Sequence, residues 1–466
     1  MAEIDVFRRL LLPSTLMLLV ACWLGGGVTQ DDTSIDEWLQ LLALPVLAIA
    51  AMTLMVDWPK ARTVQCGIVV ALMVALVPAL QLLPLPIGWW SVPAARQAMA
   101  TDLAQAGVTA LATHWSLSPA ATEASLWSML PALAGFFAAL ALPARQRRVL
   151  VLAIVLLVVF NVIFAFFQVS LPRDSNLRLY PDFDPSFGGL LVNTNHQATA
   201  CIIGMVLAVG LAVESRLRTL RGEVRAHAWW GYACLAGCLL LVTPLSTARA
   251  GMAIALPALA AVLLLSGGLP LASIGRSKRT TALALGVVIL AIVGVRAAMG
   301  WLAVDLAEEQ RHIMAKAALE IGSEQAPLGS GIGSFVQVFE QAAPSSLWLA
   351  QYVNHAHNEY AQWWLTAGWL GMLVLACVLA LLAVVGMGIA RLRGRGSNAI
   401  LAAASFVAVA VVLAHSWADY PLRTTTLMAT TATLAGVMLA ALADASLRLS
   451  DDRARRAARS ADTATA

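Results

Sequence analysis

Residues 148–169, RVLVLAIVLLVVFNVIFAFFQV, decide the class of this chain. After the leading arginine the run carries no charge, and at about 1.5 Å per residue it is long enough to cross roughly 30 Å of hydrocarbon as a helix. Arg145, Arg147 and Arg148 crowd its start. Working outward, runs of the same kind fall at 10–24, 38–56, 63–83, 125–142, 195–213, 229–245, 249–267, 280–300, 359–386, 397–415 and 423–446, twelve in all. The whole composition agrees: 60% of the 466 residues are hydrophobic and only 12% charged, against about 25% charged in a soluble domain. Mean hydropathy is +0.79. A water-soluble enzyme, a disordered chain, a collagen and a disulfide mini-scaffold are excluded. Residues 1–20 resemble a signal peptide in charge and apolarity, but no small-x-small cleavage site precedes a soluble domain, so they read as the first span.

The basic residues test the count. Twenty-two of the 30 fall on alternate connections: Arg8, Arg9, Lys60, Arg62, Arg145, Arg147, Arg148, Arg216, Arg218, Arg221, Arg225, Arg276, Lys278, Arg279, Arg391, Arg393, Arg395, and the group from Arg448 to Arg459. By the positive-inside rule both termini are then cytoplasmic. A net charge of +4 distributed this way is a topology signal and implies no nucleic-acid partner. Arg96, Arg173, Arg178, Arg249, Arg296, Arg311, Lys316 and Arg423 escape the bias, and six of the seven histidines lie on or near the far side with them. The six cysteines sit in apolar runs and read as small buried hydrophobes, with no metal site and no cofactor implied. Residues 301–358 form the longest outer connection, with a helical-looking start at 308–321, and residues 451–466 read as a disordered cytoplasmic tail.

Polar residues at membrane depth are costly and need a reason, and four outer patches carry them. Asn193-Thr194-Asn195-His196 opens the sixth span; the first three could be helix caps, which His196 is not needed for. Ser246-Thr247-Ala248-Arg249-Ala250-Gly251 makes a tight turn, in which Gly251 admits a close backbone and Arg249 either snorkels or binds an anion. Arg311, His312 and Lys316 are followed by PLGSGIGSF at 327–335, whose glycines match no nucleotide fingerprint and fit a mobile or tightly turned loop. His355-Ala356-His357-Asn358-Glu359-Tyr360 stands at the mouth of the tenth span, with His415 and Asp419-Tyr420-Pro421-Leu422-Arg423 in the last outer turn. If that mouth is helical, His355 pairs with Glu359 at i, i+4 and leaves His357 for a cavity.

Fixed guanidinium groups bind phosphate and can neutralise a diphosphate leaving group. A histidine can take the proton of an attacking hydroxyl. The substrate that suits both, with its diphosphate at membrane depth and sugars outside, is a polyprenyl-diphosphate-linked glycan.

At these residues the sequence resembles the O-antigen ligase and O-antigen polymerase superfamily. LVNTNHQA at 191–198 is similar to the family's N-x-N-H-x-A, 246–251 to S-x-S-R-x-G, 327–335 to P-x-G-x-G-x-G-x-F, and 355–371 to H-x-H-N-x-Y with a following G-x-x-G. The four lie in order over a core of about 190–375 within a membrane domain of 1–450. The resemblance implies about twelve transmembrane helices in a GT-C-like, all-α integral membrane fold, with a large partly helical periplasmic loop between the ninth and tenth. It implies a glycosyltransferase of the bacterial inner membrane, inverting and metal-independent, that moves glycan from undecaprenyl diphosphate to lipid A core or to a lipid-linked glycan. Carried over by position, Arg249 and Arg311 hold the diphosphate and His357 is the base. Asn195, His196, His355, Asn358, Lys316 and Arg423 complete the substrate site. Thr247-Ala248-Arg249 departs from the family's serine before the arginine. Transport of an anionic substrate and glycan transfer to protein are the competing readings.

Overall fold

The computed structural model describes residues 2–28, 34–107, 113–180, 186–225, 227–269, 306–347 and 352–465, with isolated positions between 278 and 296. It is an all-α integral membrane protein. The helices are α1 (Ala2–Gly25), α2 (Ser34–Val56), α3 (Arg62–Gln81), the short α4 (Ile87–Trp90) and α5 (Ala94–Gln105), α6 (Pro119–Ser128), α7 (Leu130–Ala141) and α8 (Ala144–Ser170). Then come α9 (Thr194–Leu220), α10 (Ala228–Val242), α11 (Arg249–Leu265), α12 (Leu306–Glu324), α13 (Phe335–Ala342), α14 (Glu359–Arg391), α15 (Ser397–His415) and α16 (Thr425–Thr465). A two-residue antiparallel ladder, β1 (Pro84–Leu85) on β2 (Thr113–His114), ties the loop after α3.

Ten helical segments among the described residues are long and apolar enough to cross a bilayer, and Arg249–Leu265 is a shorter apolar helix. The expected span at 280–300 lies outside the described residues, as does Trp348. The expected span at 125–142 is a bent pair, α6 and α7, with Pro131 just after the junction.

Helices α9, α15 and α16 are the centre: most of their apolar length is buried by protein, whereas α10 and α14 leave most of theirs facing outward. Alanines are frequent along α15 and α9 carries Gly204 and Gly210, and such small side chains let helices approach closely where lipid supplies no hydrophobic drive for association. Outward-facing leucines, tryptophans and phenylalanines such as Leu156, Phe160 and Trp369 are then the bilayer surface. This corrects the reading of the cysteines. Cys22 and Cys201 are buried, but Cys66, Cys234 and Cys238 are exposed on that surface, because in a bilayer an apolar run is satisfied by lipid as well as by protein.

A second, smaller core sits at one end of the bundle, where Met314, Ala318 and Ile321 of α12 meet Phe335 and Phe339 of α13 and Ala356, Ala361 and Leu365 around the start of α14. At the opposite end Arg148 of α8 pairs with Glu214 of α9 at 2.7 Å, and Arg147 pairs with Asp444 of α16. The segment 451–466, expected to be irregular, instead continues α16 as far as Thr465; its alanines and arginines are strong helix formers.

Candidate active site

Three of the quoted patches turn at the same end of the bundle, and each holds a non-glycine residue with left-handed backbone: Val192 (φ 57°), Thr247 (φ 56°) and His357 (φ 49°). Such backbone is disfavoured for side chains with a Cβ, most of all β-branched ones, and concentrates at functional sites.

Asn193 caps α9, its Oδ1 accepting from the Asn195 amide at 2.8 Å, while its Nδ2 faces Asp419 Oδ2 at 3.4 Å. One side chain therefore caps the helix and also faces Asp419. One turn further, His196 is 1% exposed and neither ring nitrogen has a hydrogen-bond partner among the described residues. The carbonyl of Asn195 accepts from Thr199 Oγ1 at 3.0 Å, and that hydroxyl meets His415 Nδ1 at 2.6 Å. Because the hydroxyl proton goes to the carbonyl, His415 donates from Nδ1.

Arg249 opens α11 beside this turn, since a Cβ on Gly251 would come within 2.5 Å of Ala198 Cβ. The close backbone expected of Gly251 is thus α9. Ser246 and Thr247 spend their hydroxyls on the turn itself, donating to the carbonyls of Thr243 and Ser246 at 2.6 and 2.7 Å.

The mouth of the tenth span is not helical through His355 and His357, which corrects the expected His355–Glu359 pair. Helix α14 begins at Glu359 because Asn358 Oδ1 caps the amides of Tyr360 and Ala361 at 3.0 and 3.1 Å. Glu359 instead binds Arg423 Nε at 3.0 Å and accepts from the Leu422 amide at 3.1 Å. Residue 355 looks the other way, onto Gln362. There the Gln362 carbonyl accepts from the Ala356 amide and its Nε2 meets His355 Nδ1, both at 3.2 Å. Gln362 therefore donates, and His355 is neutral with its proton on Nε2. Burial, with the Arg423 charge adding to it, holds this imidazole well below its ordinary pKa.

His357 meets Asp419 Oδ1 through Nδ1 at 3.2 Å. Asp419 is fully buried, and its Oδ1 also accepts from the Tyr420 amide at 2.9 Å. Burial by itself raises this carboxyl. The hydrogen bond from His357 and the electrostatic influence of His196, His357 and Arg311 outweigh it and hold the group far below the usual carboxylate range. Tyr420 stands in the middle, with ring centroids 4.3 Å from His355, 5.0 Å from His357 and 5.2 Å from His196. Burial, then the Asp419 charge, raises its phenol.

Arg311, half-buried on α12, acts electrostatically on both Asp419 and Tyr420. Lys316 points elsewhere: its ammonium is exposed, 3.9 Å from Glu320. His196, His355, His357 and Arg311 thus converge on Asp419 and Tyr420 as hydrogen-bond, ring or charge neighbours, and Arg423, bound to Glu359, reaches His355 by its charge. Asn358 serves the same place as a cap. Asp419 and Tyr420 were not singled out as site residues from sequence; the signal available was an acid beside Pro-Leu-Arg in a short outer turn.

The glycine-rich segment is tightly turned and buried. Its amides at Ser330 and Gly331 donate to Leu365 and Thr366 of α14 at 2.9 Å each, and its Pro327 carbonyl accepts from Trp369 at 3.0 Å. It fills a break in α14 at Gly368 (φ 59°), so its glycines serve the backbone.

Residues 189–376 match the family model described as O-Antigen ligase, a span that takes in Asn193, His196, Arg249, Arg311, His355, His357 and Glu359 and stops short of Asp419. No curated protein matches the chain. Residues 189–376 are thus similar to the O-antigen ligase and polymerase superfamily, whose general activity is glycan transfer, and this stretch is threaded through the histidines, arginines and buried acid gathered at one end of a helical membrane bundle.

Proposed function

We propose that this protein transfers a glycan from an undecaprenyl-diphosphate carrier to an acceptor sugar hydroxyl, as a ligase onto lipid A core or as a polymerase onto a lipid-linked glycan. The observation that carries the reading is His357 Nδ1 held 3.2 Å from a buried, ionised Asp419. The carboxylate accepts the Nδ1 proton, which leaves the Nε2 lone pair facing away to act as base; an acid that fixes a histidine tautomer in this way is a recurring device of general base catalysis.

In the proposed step the acceptor oxygen attacks the anomeric carbon from the face opposite the diphosphate, so configuration inverts. The acceptor proton passes to His357 Nε2 as the bond to the diphosphate oxygen breaks. The charge that develops on the leaving diphosphate is met by Arg249 and Arg311, which need no deprotonation and bind bidentately. Arg423 gives its Nε to Glu359, and its outer nitrogens, without a hydrogen-bond partner among the described residues, make it the third cation. Asn195, His196 and His355 line the sugar side. No cofactor enters the step.

We place the chain in the bacterial inner membrane, with the site on the periplasmic face and both termini in the cytoplasm. The loop arginines at 216–225, 276–279 and 391–395 support that orientation.

Deletion in the native bacterium tests the reading. Long glycan left on the carrier with bare lipid A core identifies a ligase, and single repeats without polymer identify a polymerase. Loss of glycan from proteins with both of those intact identifies the protein-directed variant. Unchanged glycans of every kind would refute glycan transfer and favour transport of an anionic substrate.

A further inference from the structure

Arg96 escapes the cytoplasmic bias of the basic residues and takes no part in the chemistry above. It is fully buried in α5. A buried charge must be compensated, yet no carboxylate meets it among the described residues. Its Nη2 donates to the Gly329 carbonyl at 2.6 Å, Nη1 to the Trp115 carbonyl at 2.9 Å, and Nε faces Gln325 Oε1 at 3.5 Å, while the Trp90 ring lies 5.2 Å from its carbon centre. One of those partners, Gly329, belongs to the glycine-rich segment, and Gln325 lies two residues before it.

Neighbours of Arg96 grip the same segment. Trp115 Nε1 donates to the Leu328 carbonyl at 2.9 Å, the Leu117 amide to the Ser330 carbonyl at 2.8 Å, and Thr122 Oγ1 to the Ile332 carbonyl at 2.6 Å. Gln81, also buried, accepts from the Ile332 amide at 2.8 Å and donates to the Thr366 carbonyl at 2.9 Å, bridging segment and helix break directly. Broken helices survive at membrane depth only where other groups take over the freed backbone, and here the glycine-rich segment does so.

The break separates a short outer piece of α14, residues 359–367, from the long inner piece. Few helices that short are stable alone, and the ladder of hydrogen bonds that would align it with the inner piece is interrupted at Gly368. Its direction is set instead by what fills the break. That outer piece carries Glu359, which holds Arg423, and Gln362, which holds His355 and the Ala356 amide. The other end of the glycine-rich segment runs straight out of α12, which carries Arg311.

We propose that Arg96 is a positioning residue: by clamping the glycine-rich segment into the break of α14 it fixes the outer half-helix, and with it the His355–His357 strand against Asp419 and Tyr420. The consequence for turnover rests on the glycan-transfer reading; the consequence for geometry does not.

The test uses full-length protein in nanodiscs labelled with 3-fluorotyrosine, which gives five fluorine signals, with Tyr420 assigned through Tyr420→Phe. Arg96→Gln should displace the Tyr420 and Tyr360 signals and leave Tyr180 and Tyr232 in place, and Arg96→Lys should give a smaller displacement. Trp115→Phe, which removes one bond of the clamp and keeps the carbonyl that Arg96 uses, serves if Arg96→Gln does not fold. In a glycan-transfer assay kcat should fall about tenfold or more at unchanged KM. Folded Arg96→Gln or Trp115→Phe protein with Tyr420 and Tyr360 unmoved overturns the proposal. Displaced signals with unaltered kcat overturn the positioning role in turnover. Displaced signals in a protein whose native form transfers no glycan uphold the clamp and remove the transferase reading.

Discussion

His357 combines left-handed backbone at φ 49° with a side chain tied to a buried carboxylate 62 positions further along the chain. A residue with a Cβ keeps that backbone only where its surroundings impose it, here the Asn358 cap on one side and the packed Ala356 on the other. His357→Ala should lower kcat about 100-fold or more at unchanged expression, the range of general base catalysis, and Asp419→Asn should follow it because the wrong tautomer is then favoured. Arg249→Ala and Arg311→Ala should each cost about 3–4 kcal/mol of transition-state binding. Near-native turnover in purified His357→Ala protein would remove it as the base.

The neutral His355 makes a pH prediction. Its folded pKa lies below the unfolded value of about 6.5. As pH falls below that value the unfolded chain takes up a proton that the folded chain refuses, so stability declines by up to about 1.4 kcal/mol per pH unit. His355→Asn, whose carbonyl can still accept from Gln362, should show a flatter fall in Tm between pH 6.5 and 5 than the unaltered protein. Equal slopes in the two would contradict a neutral, buried His355.

At the scale of elements, α8 is fastened at the end remote from the site. Arg148 is the ion-pair partner of Glu214, whose side chain is only 7% exposed. Removing one partner of such a pair leaves a buried charge, so Arg148→Ala should destabilise by about 3 kcal/mol, whereas Arg148→Ala with Glu214→Gln should recover part of the loss. Thermal unfolding in detergent measures both; additive losses in the double variant would mean the pair does not couple. Which runs were spans was legible in sequence, because an uncharged run of about twenty residues is a property of the run alone. The break in α14 was not. Gly368 and the glycine-rich segment are 35 or more positions apart at their bonded pairs, as from Ser330 to Leu365, and nothing local to either announces that one completes the other.

At the scale of the molecule, the bundle has two unlike ends, one with the histidines and buried acid, the other with the loop arginines. Single cysteines at exposed Glu320 and exposed Arg221 in an otherwise cysteine-free chain should label from opposite sides of the membrane with an impermeant reagent. Labelling from one side would break the topology. The sequence by itself determined that the chain spans a bilayer as helices, which connections are basic, and which four patches carry polar groups; each is read from neighbours in the chain or from composition. Tertiary structure decided that Asp419 is the partner of His357, that Glu359 binds Arg423 and not His355, that Lys316 faces away, and that Arg96 serves a backbone segment more than 200 positions on. Those choices depend on how helix ends come together, and in a bundle of small residues that is set by the close packing of α9, α15 and α16, which no single segment encodes.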